Sequence, residues 1–345
     1  MIRTLITGSP GWLGTRLVEA VCGRAPDVPP FATQGEFHVR CLVLDGAEAG
    51  PLRDMGAEVV WGDICHLQSI RSAMEGIELV IHGAGVAHPR RASDFIRINA
   101  DGTRNVVRAA RDAGAQRLIH ISSNSAQGTT GKRKELMREE GPLRPRGRYG
   151  LSKWLAEGAV REAQEQGLET VILRPCWFYG PNQPERQTTF FRMIASGRPI
   201  VFGSGENLRS LAYIDNLVQA AILAARSPRA VGETYWVADE RPYTTLDVCE
   251  AIAQALGLTI RPRRVPSLVS ALMRFADEAL QRMGCYIKEV HVAGEMTQNI
   301  ACDIRKAIKE LGYCPTVELH EGMRRSAEWC RAQGIELGAW RQHRP

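Results

Sequence analysis

Nine cysteines in 345 residues are odd in number, scattered, and never spaced C-x-x-C. That excludes a simple disulfide framework and a zinc ribbon and fits a reducing compartment. No apolar run reaches the twenty or so residues that a bilayer needs. The first strand starts at Ile2, leaving no leader in front of it, so the expected location is cytoplasmic. The net charge of +6 is spread over 44 basic and 38 acidic residues. The densest basic stretches, "GKRKELMR" and "RPRGR", read as an exposed loop, and nucleic acid is not an expected partner. The eight histidines are dispersed and no metal constellation is expected. There is no internal repeat and no low-complexity tract. A chain of this length buries enough apolar surface to fold without staples.

What is present is a rhythm. "IRTLITG" (2–8), "HVRCLVLD" (38–45), "AEVVWGD" (57–63), "ELVIHGAG" (78–85), "QRLIHISS" (116–123) and "ETVILRP" (169–175) read as strands. Helical spacing separates them, at 11–23, around 67–75, at 92–114 and from Tyr149 to about Gln166. A Pro-rich insert, "RAPDVPPFATQGEF", reads as loop. Apolar strands alternating with helices predict a parallel sheet covered on both faces, a doubly wound α/β (Rossmann) fold. The domain division expected is 1–180 for the dinucleotide-binding part and 181–345 mostly for a smaller substrate-binding lobe. Segments around 200–240 would return to the sheet. Helices are expected in the second part at 187–196, 215–226, 244–256, 267–283 and 303–311.

"TGSPGWLG" follows the first strand and carries Gly8, Gly11 and Gly14. Glycines there permit the tight turn, the close approach of a pyrophosphate and the packing of helix on strand. With Ser9, Trp12 and Leu13 they form a candidate dinucleotide cradle at a helix N-terminus. An ordinary tight turn is the plainer alternative. Asp45 closes the second strand, where a carboxylate accepts from adenosine ribose hydroxyls and repels a 2′-phosphate. The nearest following arginine is Arg53, so NAD is favoured over NADP. Asp63, followed by Ile64, ends the third strand. It could reach the adenine amino group or cap the following helix.

"RYGLSKW" places Tyr149 and Lys153 four positions apart on one helical face. A tyrosine of ordinary pKa, about 10, is a poor base at neutral pH. A neighbouring ammonium is expected to stabilise the phenolate. The phenolate could then take a proton from an alcohol as hydride leaves, or the phenol could donate to a carbonyl. Alone, Y-x-x-x-K is an ordinary surface pair; behind a glycine turn and alternating strands it reads as catalytic. Ser123, at the end of its strand, can hold the substrate oxygen, whereas Ser122 points to the other face. Cys176 lacks a histidine placed to activate it and reads as packing, and His82 as a structural hydrogen-bonder.

Together "TGSPGWLG", "GDI", "VIHGAG", "INADGTRNVVRAA", "ISSNSAQG", "YGLSK", "RPCWFYGP" and "RSLAYIDNLVQA" resemble the extended short-chain dehydrogenase/reductase superfamily. The resemblance is to its epimerase/dehydratase and 3β-hydroxysteroid dehydrogenase group, and "ACDIRKAIKELGYCP" extends it to about 315. It implies a Ser123–Tyr149–Lys153 triad and a helix asparagine at Asn99. It also implies cofactor-lining backbone at Gly83, Ala84, Gly85, Pro175 and Trp177, and a homodimer joined through the helices around 92–114 and 149–166.

Family dehydratases carry Asp–Glu after the catalytic hydroxyl. Here Asn124 and Ser125 stand there, and neither does acid–base work near neutral pH, so dehydration is not expected. Arg209, in "NLRSLAYIDN", matches a diphosphate-binding residue of the epimerases, but "VAGEM" (292–296) lacks the second arginine. Ser123, Asn124, Tyr149 and Arg209 are the expected substrate contacts. The stripe Val269, Leu272, Met273, Ala276, Leu280 and Met283 is expected to pack in the core. A lid over an apolar substrate, or peripheral membrane contact, are its alternatives. The favoured expectation is hydride transfer between NAD and a secondary alcohol or ketone of a bulky small-molecule substrate. A nucleotide-sugar epimerase is the alternative. A non-catalytic redox sensor or scaffold is more remote, because both Tyr149 and Lys153 are present.

Overall fold

The computed structural model describes residues 1–25, 35–130 and 135–338. Most of the Pro-rich insert, and the start of the "GKRKELMR" stretch, lie outside the described residues.

In chain order the first half runs β1 (Ile2–Thr7), α1 (Trp12–Val21), β2 (Phe37–Val43), α2 (Gly50–Asp54), β3 (Glu58–Trp61), α3 (Leu67–Arg71) and β4 (Leu79–His82). A π-helical stretch (Phe95–Asp101) leads into α4 (Gly102–Asp112), followed by β5 (Arg117–Ile121), α5 (Gly147–Glu165) and β6 (Glu169–Pro175). The second half holds β7 (Trp177–Tyr179), α6 (Glu185–Ala195), β8 (Ile200–Phe202), β9 (Leu208–Arg209), β10 (Leu211–Tyr213), α7 (Ile214–Arg226) and β11 (Thr234–Val237). Then come β12 (Tyr243–Thr244), α8 (Thr245–Ala255), β13 (Arg263–Val265), α9 (Ser267–Arg282), α10 (Lys288–Glu295), α11 (Arg305–Leu311) and α12 (Leu319–Ala332).

The main sheet has seven parallel strands in the order β11-β6-β5-β4-β1-β2-β3. Its central strands read as continuous apolar runs because helices cover both faces. One apolar layer (Leu17, Val18, Leu217, Ile222) lies on one side, and another (Ile70, Val106, Val160, Leu168) on the other. Strand order reverses between β1 and β4, and such a switch point opens a crevice at the carboxyl ends of the strands. A third apolar layer, around Phe191, Ile252, Leu319 and Met323, forms the core of the later segments.

The sequence expectation named no helix at 288–295 or 319–332; both are helical. Their apolar residues are interrupted by charges, and tertiary packing decides them. The stripe expected to pack α9 into the core does so only in part, with Val269, Met273, Ala276 and Leu280 half-buried. Ser270, Asp277 and Gln281 are the buried residues of that helix, while Leu272 and Met283 are exposed. The inner face is polar because Asp277 and Gln281 bond to each other, Gln281 holds the Arg148 backbone N–H, and Asp277 holds His291.

Candidate active site

The glycine turn fills the switch point. Gly8 has φ of +95°, and a Cβ there would lie 2.7 Å from the carbonyl carbon of Gly83. A Cβ on Gly14 would lie 2.5 Å from the Gly8 carbonyl oxygen. The turn therefore works only with bare backbone, and it abuts the end of β4. Gly11 is extended and caps α1 with no side chain, so the first N–H groups of that helix remain available to an anion. Ser9 is buried; Trp12 donates from Nε1 to the Pro181 carbonyl (2.6 Å) and stacks near Phe178. Leu13 packs between the sheet layer and the later core. The backbone of Gly83 and Gly85 is exposed beside it, with Ala84 half-buried between them. These features fit a dinucleotide pyrophosphate.

Asp45 lies two residues beyond the end of β2 rather than on it, and is exposed. Asp63 uses one carboxylate oxygen to accept from the Cys65 N–H at 2.8 Å, a local turn rather than a helix cap. Ile64 is buried against Gly102, and its carbonyl accepts from Asn105. Asn99 sits in the π-helical stretch with every polar atom occupied. Its Oδ1 accepts from the Val86 N–H, and its Nδ2 donates to the Val86 carbonyl and to Ser152. Ser152 in turn donates to the Tyr149 carbonyl. Asn99 thus ties the loop after β4 to the first turn of α5.

That turn carries Tyr149. Burial pushes its hydroxyl above its ordinary pKa, against the pull of the neighbouring Ser123 hydroxyl and of the Arg186 charge. The expected lowering by Lys153 is therefore not what this arrangement gives. Lys153 Nζ donates instead to the Ile121 carbonyl at 2.9 Å, and burial brings it down to about 8, held up by the charge of Glu157. Ser123 lies beyond the end of β5. It caps a short turn, its Oγ accepting from Ser125 N–H and donating to Asn124 Oδ1. Pro175 ends β6 and Trp177 opens β7, its ring edge-on to Phe190. Cys176 packs its sulfur 3.4 Å from that of Cys302. His82 bridges Thr7 and Thr103.

Several residues around Tyr149 are absent from the sequence expectation. Glu157 is on the same face of α5, one turn past Lys153, and it accepts from Arg174, Ser122 and Arg161. Its place two turns beyond Tyr149 was a usable signal. Arg186, at the start of α6, is half-buried, and burial lowers its pKa while the nearby Tyr149 and Tyr286 raise it. Among the described residues no carboxylate pairs with it. Tyr286 stands 2.6 Å from His88 Nδ1, and its ring meets Phe95, which also packs on Tyr149. Burial, then the Arg186 charge, push His88 down to about 4, so it is neutral. These residues come from segments up to 198 positions apart, and only topology joins them.

Arg209 is half-buried; its guanidinium donates to the Glu295 carbonyl, and its buried Nε has no partner. Gly294, of "VAGEM", lies in α10 against Arg274. A small cavity lined by Asn124, Ser125, Asp277, His291 and Glu295 adjoins this region.

The NAD dependent epimerase/dehydratase family model matches residues 4–238. A Sinorhizobium fredii protein, y4nL, is 43% identical over 340 residues, covering 96% of this chain and 95% of its own. A Stigmatella aurantiaca ketoreductase of a farnesylated dihydroquinoline-1-oxide is 27% identical, covering 93% and 95%. The structure of UDP-glucuronic acid 4-epimerase from Bacillus cereus, in complex with NAD, superposes with a TM-score of 0.74 at 19% identity, over 97% of this chain and 100% of that one.

Proposed function

The chain belongs to the NAD-dependent epimerase/dehydratase family, among the extended short-chain enzymes, and on that premise we propose that it reduces or oxidises a secondary alcohol or ketone with Tyr149 exchanging the proton. The crevice between β1 and β4 would hold NAD, which would supply the hydride donor or acceptor. Gly8, Ser9, Gly11, Trp12, Leu13 and Gly14 would hold its pyrophosphate. Asp45 would take the adenosine ribose and favour NAD over NADP, and Asp63 and Ile64 would border the adenine. Backbone at Gly83, Ala84, Gly85, Pro175 and Trp177 would line the nicotinamide end. Asn99 would act as a positioning residue.

Ser123 and Tyr149 would share the substrate oxygen, since the Ser123 hydroxyl already acts on the phenol. A half-buried phenol above its ordinary pKa stays protonated near neutral pH, the form from which it donates to a developing alkoxide in ketone reduction. Lys153, brought down by burial to about 8, is still mostly charged there. A new acceptor in the crevice would hold it protonated beside Tyr149.

The observation that carries the substrate reading is Arg186, a half-buried cation next to the phenol with no anionic partner among the described residues. A desolvated guanidinium calls for an anion. The substrate would therefore bear a carboxylate or phosphate close to its carbonyl, on a bulky body. Asn124 would line that pocket. The nucleotide-sugar epimerase remains the second reading, favoured by the unpartnered Nε of Arg209. The later segments, apart from those around α7 and β11, would form the substrate lobe. Exposed Leu151 and Trp154 on α5 support a homodimer through that helix.

Single-turnover assays, with NADH on 3-keto acids and ketosteroids and with NAD⁺ on UDP-hexoses, test this. Keto-acid-dependent NADH loss is expected. UDP-hexose interconversion with NAD⁺ and no net NADH formation would install the epimerase instead, and cofactor binding with no turnover would leave only a sensor. Tyr149→Phe should abolish turnover with NADH affinity intact, read by tryptophan fluorescence. Arg186→Leu should raise KM more than it lowers kcat.

A further inference from the structure

Helix α9 is amphipathic in the inverted sense. Its inward residues, Ser270, Asp277 and Gln281, are polar and buried. Its large exposed apolar residues are on the outside: Leu268 is 67% exposed, Leu272 58%, Phe275 73% and Met283, just past its end, 71%. Ile287 just before α10 and Val292 within it are also exposed. The residues at 268, 272, 275 and 283 share one helical face. No described part of the chain covers them. Scattered exposed apolar residues are ordinary; a contiguous row of large ones on one helix marks an interaction surface.

The charges around this row have one dominant sign. The short parallel ribbon of β8 and β13 runs through Val265 and Pro266 straight into the start of α9. It carries Arg263 and Arg264, with Arg261 and Arg198 at its entry, all exposed. Arg282 closes the other end of α9 and is exposed as well. None of these five side chains forms an ion pair with a described residue, whereas exposed arginines elsewhere, such as Arg97, Arg104 and Arg324, each bond a carboxylate within one turn. The acids exposed on α9 and α10 are Glu278 and Glu289. An apolar row framed by unpaired guanidinium groups is complementary to an interface that is apolar beneath and anionic at its surface.

We propose that the outer face of α9, with Ile287 and Val292 and the arginines of the β8–β13 ribbon, docks on an anionic lipid surface. The helix would lie in the interfacial plane, burying Leu268, Leu272, Phe275 and Met283 among acyl chains while the arginines meet headgroup phosphates. The attraction of these arginines to an anionic leaflet is screened by salt. An open groove of about 490 Å³ runs along the same helix between Arg146 and Phe275. It shares Arg146, Arg274 and Glu278 with the small cavity that reaches Asn124 and Ser125. Docking would set the mouth of that groove at the lipid boundary.

Co-flotation of the full chain with phosphatidylcholine vesicles, and with vesicles containing one-quarter phosphatidylglycerol, tests the proposal. Binding to the anionic vesicles is expected, several-fold stronger than to neutral ones and reduced by 0.5 M salt. Leu272→Glu with Phe275→Glu should cut it at least tenfold with an unchanged melting temperature, since both side chains are outside the core. Arg263→Gln with Arg264→Gln should erase the preference for anionic vesicles. Absence of flotation by the unmodified chain would overturn the proposal, and so would flotation that the Glu variants leave unchanged. An oligomer that dissociates in the Glu variants, without lipid binding, would assign the face to a second copy instead.

Discussion

Both carboxylate oxygens of Glu157 accept hydrogen bonds from the Arg174 guanidinium, at 2.9 and 2.7 Å, and the pair is sealed from solvent. Arg174 also donates to Gln127 and lies over the Trp236 ring. The pair ties the helix that carries Tyr149 and Lys153 to β6, and Ser122 joins it from the end of β5. A buried ion pair is costly to form but more costly to break on one side. Glu157→Gln leaves the Arg174 charge without a counterion and should cost about 3–5 kcal/mol of stability, read by urea unfolding at neutral pH. Burial alone would raise the Glu157 pKa, but the bonds to Arg174 and Ser122 bring it below its ordinary value. A lowered carboxylate pKa stabilises the fold above the unfolded value, about 4.3, and that share fades as pH falls through the folded one. The variant should therefore lose less stability than the parent below pH 4.

Lys153 gives a test of opposite slope. Burial lowers its pKa to about 8, while an unfolded lysine titrates near 10.4. Between these values the unfolded chain binds more protons, so stability rises with pH on account of this residue. Without cofactor, the difference in unfolding free energy between the parent and Lys153→Met should shift in favour of the parent from pH 8 to pH 10. A flat difference would mean that the ammonium is solvated.

Gly14 tests the cradle. A Cβ at that position would sit 2.5 Å from the Gly8 carbonyl oxygen, a backbone atom that cannot swing away. Gly14→Ala should displace the turn and lower NADH affinity at least about tenfold, equivalent to ~1.4 kcal/mol, in a fluorescence titration. An unchanged affinity would refute the assignment of this turn to the pyrophosphate.

Asp45 tests cofactor choice. Removing a carboxylate that accepts from ribose hydroxyls forfeits a charge-assisted hydrogen bond, about 1.5–3 kcal/mol. Asp45→Ala should weaken NADH by about tenfold or more and narrow its advantage over NADPH. Equal losses for both cofactors would remove Asp45 from the specificity reading.

The amino-acid order by itself determined the doubly wound sheet, the glycine turn and the Tyr149–Lys153 spacing. These rest on periodicity, on the conformational freedom of glycine and on neighbours within one helix, all of them local. It also placed Ser123 and Asp45 near the carboxyl edge, though two residues past the ends of their strands. Tertiary structure alone decided what surrounds the phenol. Arg186, His88 and Tyr286 converge from distant segments, and burial, a property of the assembled layers, raises the Tyr149 pKa instead of lowering it. It also decided the sense of α9. A hydrophobic stripe shows that a helix has two faces, but which one turns inward depends on the partners waiting there. Here His291 offered the hydrogen bond that drew Asp277 inside, and the Arg148 backbone N–H drew in Gln281 beside it.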